Sequence, residues 1–158
     1  MADVGMSVAI LNPFVKSAIN VLKTELGANV QRGAVRIENG QRSTHDVNVL
    51  IGVIGQAYGT VYYGMSIETA CQIVGKMMGQ PFEEFDDMAQ SGIAELGNVI
   101  TGLASKGLSE YGYECNITPP HLITGQNVKI NAGDLMRLAL PLYSPCGEIE
   151  IHLALQGA

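Results

Sequence analysis

The stretch Gly97-Asn98-Val99-Ile100 indicates an internal repeat, because a related stretch, Ile19-Asn20-Val21-Leu22, occurs 78 residues earlier in the chain. Each stretch lies in an apolar pattern with helical spacing, and extended segments follow each of them. Segments beginning at Gly59 and Gly147 also resemble each other, with an offset of 88 residues that a longer loop in the second half reconciles. The sequence therefore predicts two copies of one α-β-β-β unit.

Each such unit is too small to bury its own apolar face, so the two units are expected to share a sheet. We predict an α+β fold in which two fused α-β-β-β units form one mainly antiparallel sheet, with long helices packed on one side. At 158 residues the chain is expected to be a single domain, 1–158, with halves at about 12–65 and 86–156 joined by a helix over 66–78. The alternative is chance similarity between two stretches that each contain a helix and a hairpin.

Cap and turn residues predict where the elements begin and end. Asn12-Pro13 predicts the start of a first helix and Gly27 its end, and Ser66 predicts the start of the joining helix. Extended patterns over 30–37, 46–54 and 57–65 predict a three-stranded meander with a turn at 38–40. An acidic linker predicts a long helix over about 86–111, since negative charge stabilises a helix N-terminus. Further extended segments are predicted over 115–118, 128–131, 135–143 and 148–155.

Composition excludes several classes of function. Hydrophobic residues make up 47% of the chain and charged residues 15%, which is typical of a packed globule. The formal charge of -6 argues against nucleic acid and anionic membrane surfaces as partners. With no basic leader, no long apolar stretch and three cysteines without C-x-x-C spacing, the chain is predicted to be cytoplasmic.

The common enzyme motifs are absent from the sequence. It contains no P-loop, no dinucleotide-binding glycine pattern and no nucleophile elbow. The histidines His45, His121 and His152 lack metal-ligand spacing, so no metal site is predicted. The protein is therefore expected either to bind a partner or to complete a catalytic site that the partner supplies.

One polar stripe stands out on the long predicted helix. At about 100° per residue, Ser91, Glu95, Asn98 and Gly102 fall within roughly 60° of one another. The apolar side chains of Ile93, Leu96, Ile100 and Leu103 cluster elsewhere on the helix and are predicted to contact the sheet. Glycine destabilises a helix interior by about 1 kcal/mol relative to alanine. We therefore expect a neighbouring surface to approach the helix closely at each glycine. We expect an incoming partner surface at Gly102, and the underlying sheet at Gly92 and Gly107.

The spacing S-x-x-x-E-x-x-N-x-x-x-G resembles the signature of the CheC/CheX family of chemotaxis phosphatases, which also includes FliY, and a proline follows at Pro119 or Pro120. In the first copy Ser17 stands where a glutamate is expected and Pro13 replaces the serine, which favours the single-site CheX branch. The resemblance implies a phosphatase that acts on the phospho-aspartate of a CheY-type response regulator.

The resemblance also implies a role for each residue of the stripe. Asn98 would position the attacking water, Glu95 would pair with a lysine of the regulator, and Ser91 and Gly102 would contact the partner. No cofactor is expected on this chain, since the regulator would supply Mg²⁺. A homodimer is implied for the CheX branch, and a deamidase partner, CheD, for CheC.

Two alternatives remain open at this stage. In the first, the protein is a non-catalytic adaptor that binds a response regulator, a flagellar switch component or a CheD-like deamidase. In the second, it is an enzyme with a small-molecule pocket. Intact Glu95 and Asn98 in a chain without a switch-binding extension favour phosphatase activity.

Overall fold

The structure, a computed structural model, describes residues 4–38, 42–43, 45–126, 129–130 and 137–157. The helices are α1 (Val4–Leu26), α2 (Ile67–Met78) and α3 (Asp87–Glu110). The strands are β1 (Gln31–Arg32), β2 (Arg36–Glu38), β3 (Arg42–Ser43), β4 (Val47–Gly55), β5 (Ala57–Met65), β6 (Cys115–Ile117), β7 (His121–Thr124), β8 (Lys129–Ile130), β9 (Arg137–Ser144) and β10 (Gly147–Gly157).

Two long hairpins, β4–β5 and β9–β10, form the middle of an eight-stranded sheet and join through β5 and β10. Every pairing in this sheet is antiparallel. The apolar faces of α1 and α3 cover one side of the sheet, and their buried side chains form one core with those of the strands. This arrangement confirms the predicted α+β class with one mainly antiparallel sheet.

The predicted three-stranded meander is wrong. The segment 30–37 contains two short strands, β1 and β2, which pair with β9 of the other half and not with β4. In the second half, β6 and β7 pair with β4 in the same way. Each hairpin therefore receives its outer strands from the opposite half. We propose that the halves are two copies of one unit that exchange their first strands within a single domain, an interpretation that this arrangement supports.

The first helix begins earlier than predicted. Pro13 lies inside α1, which starts at Val4, and not at its first position. Ile10 and Leu11, one turn before the proline, are buried in the core. Their burial holds that turn in helical form despite the hydrogen bond that proline cannot donate.

The predicted starts of α2 and α3 are confirmed. The Ser66 hydroxyl accepts a hydrogen bond from the Thr69 backbone at 3.1 Å, and Gly79 ends α2 with a φ of 69°. The Asp86 carboxylate accepts a hydrogen bond from the Ala89 backbone at 2.9 Å, which starts α3. The long helix therefore runs over Asp87–Glu110, as the acidic linker predicts.

The second half follows the predicted pattern with one addition. Strands β6, β9 and β10 lie where extended segments are expected, while β7 after Pro120 was not predicted. The predicted segment 128–131 contains β8, but residues 128 and 131 lie outside the described residues. The predicted turn at 38–40 lies outside them as well, except for its first residue.

Two glycines of α3 contact helices, although the sequence predicts the sheet. A Cβ at Gly92 would lie 3.3 Å from Met78 of α2, and a Cβ at Gly107 would lie 2.9 Å from Pro13 of α1. At Gly97 the neighbour is the sheet, because a Cβ would meet Val49 Cγ1 of β4 at 2.8 Å. Small residues therefore let α3 approach each of its three neighbours closely.

Candidate functional site

The buried face of α3 fixes which side chains the helix presents to solvent. Ile93, Leu96 and Ile100 are buried against the sheet, as predicted. Leu103 was predicted on the same face but is 42% exposed. It lies at the edge of the apolar stripe and lines the groove between α1 and α3.

A buried hydrogen bond also fixes the rotation of α3 about its axis. The Thr101 hydroxyl donates to the Gly97 carbonyl at 2.7 Å and lies 2.8 Å from the Tyr63 hydroxyl of β5. With the threonine proton engaged, Tyr63 is the donor in the second bond. Burial raises the pKa of Tyr63 well above its usual value, so this hydroxyl remains a donor. The bond holds the middle of α3 on the sheet at the turn that carries Asn98.

The four predicted site residues lie together on the opposite, outward side of α3. Ser91 and Glu95 are exposed, while Asn98 and Gly102 are half-buried. Within the described part of the chain, the side chains of Ser91, Glu95 and Asn98 make no hydrogen bond or ion pair. A carboxylate and a carboxamide therefore project from one helix face with their hydrogen-bonding capacity available to a partner.

The surface around this polar stripe is open and partly apolar. A Cβ at Gly102 would have no atom within 4 Å. Val99 is 40% exposed and Met88 54% exposed on the same side of the helix. Exposed apolar side chains beside polar groups are typical of a protein-binding surface.

The first copy of the motif does not form a second site. Asn20 is exposed on α1 and lines a groove of about 520 Å³ between α1 and α3. Pro13 and Ser17 line the same groove where the second copy has a serine and a glutamate. Without the carboxylate, this groove lacks the pair that α3 carries.

The side chains on the outer face of α3 can position a water molecule, but they supply neither a nucleophile nor a metal ion. An asparagine amide both donates and accepts hydrogen bonds, so it can orient a water molecule. Among the described residues, the group with geometry for a metal ion is His45, Glu148 and Glu150, which does not include any residue of α3. The site on α3 thus needs a partner that brings the electrophile.

The contribution of Tyr63 and Thr101 was not predicted. A hydroxyl residue in the middle of α3 is a weak signal, because its bonding partner lies on β5, 38 residues away. The alternation of buried residues along β5 does not distinguish Tyr63 from its neighbours, since Tyr62 is buried too. Only the packing of the helix on the sheet identifies the pair.

Comparison with known proteins shows the family. The family model described as "Chemotaxis phosphatase CheX" matches residues 47–142. The chain belongs to the CheX family. It is 29% identical over 153 residues to the CheY-P phosphatase CheX of Thermotoga maritima, covering 96% of this chain and 98% of that protein.

Solved structures agree with this CheX assignment. A CheC-like superfamily protein from a Shewanella species, strain PV-4, is 30% identical, with a TM-score of 0.86 over 95% of this chain and 99% of that one. The CheX–CheY–BeF₃–Mg²⁺ complex of Borrelia burgdorferi matches with 30% identity and a TM-score of 0.81, covering 92% and 97% of the two chains. Over the described residues, no helix has both the length and the apolar character that crossing a bilayer requires.

Proposed function

We propose that this CheX-family protein hydrolyses the phospho-aspartate of a CheY-type response regulator and thereby ends a chemotaxis signal. The observation that carries the proposal is the Asn98 amide, half-buried on the outer face of α3 one turn from the exposed Glu95 carboxylate. The described residues offer neither side chain a partner. The two groups are therefore available to a phosphorylated protein that docks on α3.

Asn98 acts by orienting the attacking water. The regulator already holds the phosphoryl group, and a bound Mg²⁺ on the regulator would neutralise the charge that develops on its oxygens. What remains is to hold a water in line with the phosphorus. An uncharged amide does this by accepting a hydrogen bond from the water while its NH₂ group donates to the phosphoryl oxygens or their surroundings.

Glu95 docks the regulator by pairing with a basic side chain, which we take to be a lysine. Its position three residues before Asn98 places both groups on the same helix face. A charge pair about one helical turn from Asn98 fixes how deeply α3 enters the phosphorylation pocket. Gly102 leaves room for the partner backbone, and Ser91 extends the contact at the other end.

Phosphate release from a purified, phosphorylated receiver in Mg²⁺ tests the proposal. We expect Asn98→Ala to lower the stimulated rate by about 100-fold, because the water loses its orientation. Asn20→Ala is the matched control, since Asn20 is an exposed asparagine in the related helix and should leave the rate unchanged. An active Asn98→Ala variant would remove the water-positioning role. Binding of the receiver by the wild type without phosphate release would instead identify a non-catalytic adaptor.

The assembly and location are part of the same proposal. We propose a homodimer joined through sheet edges, supported by the exposed Val35 and Ile37 at the β2 edge, 41% and 52% accessible. Light scattering of the purified protein would give the mass of a monomer if the homodimer proposal is wrong.

The three free thiols, Cys71, Cys115 and Cys146, suit the reducing cytoplasm in which we place the protein.

A further inference from the structure

A polar cluster lies on the face of the sheet that the helices do not cover. Side chains alternate along a strand, and Tyr63 points at α3, so Tyr62 and Gly64 point to the other face. Glu150 is paired with Gly64 in the neighbouring strand and shares that face. His152, two residues on, stacks on Tyr62 with ring centroids 4.4 Å apart.

Glu150 is the centre of this cluster. Its Oε1 lies 2.6 Å from His152 Nε2 and 3.8 Å from His45 Nε2, and its Oε2 accepts a hydrogen bond from Arg36 at 3.0 Å. The short contacts with His152 and Arg36 engage both oxygens of the Glu150 carboxylate and hold it in a fixed orientation.

The fold is adapted to bring His45 to this carboxylate. His45 precedes β4, and its ring lies over β5, where a Cβ at Gly64 would meet His45 Cδ2 at 2.8 Å. The side chain of Asn48, fully buried, donates to the His45 carbonyl at 2.7 Å. A glycine beneath the ring and an amide that fixes the backbone thus place the imidazole beside Glu150.

Glu148 completes a set of three possible ligands. It lies two residues before Glu150 on β10 and therefore on the same face. One ligand atom each from His45, Glu148 and Glu150 all fall within 4.8 Å of one another. The ligands of a tetrahedral zinc ion are about 3.4 Å apart, as bond lengths near 2.1 Å require. Small side-chain rotations would bring these three donors to that separation.

We propose that His45, Glu148 and Glu150 form a Zn²⁺ site on the sheet face opposite α3. An imidazole and two carboxylates suit zinc better than Mg²⁺, which takes oxygen ligands. The His45 side chain is 30% exposed, so the ion can enter from solvent and a water can fill the fourth position. Arg36 and His152 hold the Glu150 carboxylate from outside the ligand set, as supporting hydrogen bonds do at metal sites. The bound ion would link the start of β4 to β10 across β5.

The nearby guanidinium groups are paired with carboxylates. Glu38 forms ion pairs with Arg36 and Arg137 at 3.1 and 3.3 Å. The sequence predicts no metal ligand here because His45 and Glu150 are more than 100 residues apart.

Titration calorimetry and thermal melting of the chelator-treated protein with ZnCl₂ test the proposal. We expect saturable binding of one ion, and a rise in Tm of about 8 °C at a free concentration 100 times the dissociation constant. MgCl₂ should give no such rise. His45→Ala and Glu148→Gln should each weaken binding by at least about tenfold.

The control is His121→Ala, which removes an exposed histidine outside the cluster. It should bind Zn²⁺ like the wild type. The site is refuted if the wild type does not bind Zn²⁺, or if Glu148→Gln and His45→Ala bind as tightly as the wild type does. Loss of binding in His121→Ala would place the ion elsewhere. None of these readouts depends on phosphatase activity, so they remain valid even if the proposed function is wrong.

Discussion

Replacing Gly102 with alanine should make the protein more stable. The new methyl group would have no atom within 4 Å, so it meets no obstacle inside the molecule. Alanine is favoured over glycine in a helix interior by about 1 kcal/mol. For a chain of 158 residues this corresponds to a rise in Tm of about 3 °C, using the average unfolding entropy per residue. Thermal melting of the two proteins in the same buffer measures the shift.

The same substitution should make the protein a poorer phosphatase. If the regulator docks on the outer face of α3, the Gly102 methyl group stands where the partner surface approaches. A displacement of about 1 Å at the reacting atoms lowers a rate by up to about 100-fold. We therefore expect kcat/KM for phosphate release to fall by about 10-fold to 100-fold in Gly102→Ala, in a protein that melts at a higher temperature.

Gly97→Ala is the matched control, because it changes the same residue type on the buried side of α3. Its Cβ would lie 2.8 Å from Val49 Cγ1 and 3.3 Å from Val49 Cβ, so the helix or the strand must move. This variant should melt at a lower temperature than the wild type. The reasoning is refuted if Gly102→Ala is less stable than the wild type, or if it is more stable and fully active.

Three further predictions follow from the contacts described above. Glu95→Ala should weaken capture of the phosphorylated regulator at low salt and reduce the salt dependence of binding, and unchanged affinity would remove Glu95 from the interface. Tyr63→Phe should lower the free energy of unfolding by about 1 kcal/mol in urea, since Thr101 loses a buried hydrogen bond. Glu150 has a lowered pKa in the folded state, so its stabilising contribution is present above its unfolded pKa and is lost as the pH falls through the folded value. Denaturation from pH 7 to pH 3 should therefore show a flatter profile for Glu150→Gln than for the wild type.

Local signals predicted the helices and hairpins, because caps, turns and periodicity lie within a few residues of one another. Ser66 and Asp86 each cap the helix that the sequence predicts. The outer strands were placed wrongly for the opposite reason. Strand β1 has two residues and β2 has three, too few for an alternating pattern, and their partner β9 lies about 100 residues further along the chain. Such a pairing depends on which edge remains open after the hairpins form.

The sequence predicts which residues share the outer face of α3, but not the contacts that hold this face in place. Spacing alone places Glu95, Asn98 and Gly102 on one helix face, and the structure puts all three on its outer side. The sequence did not reveal that Leu103 is exposed or that Thr101 bonds to Tyr63. Both depend on the angle at which α3 sits between α1 and the sheet, which small residues on three sides of the helix determine.

The rotation of α3 links these buried contacts to the proposed chemistry. Thr101 is three residues after Asn98, so the two side chains are about 60° apart around the helix axis. The Asn98 amide extends roughly 6 Å from that axis, and a rotation of about 10° would move it by about 1 Å. A shift of that size is enough to misalign an oriented water. The Tyr63–Thr101 bond and the close contact at Gly97 resist this rotation from the buried side, while Gly102 keeps the exposed side open to a partner. The buried face of α3 must therefore be held rigidly if Asn98, on the exposed face, is to position a water on another protein.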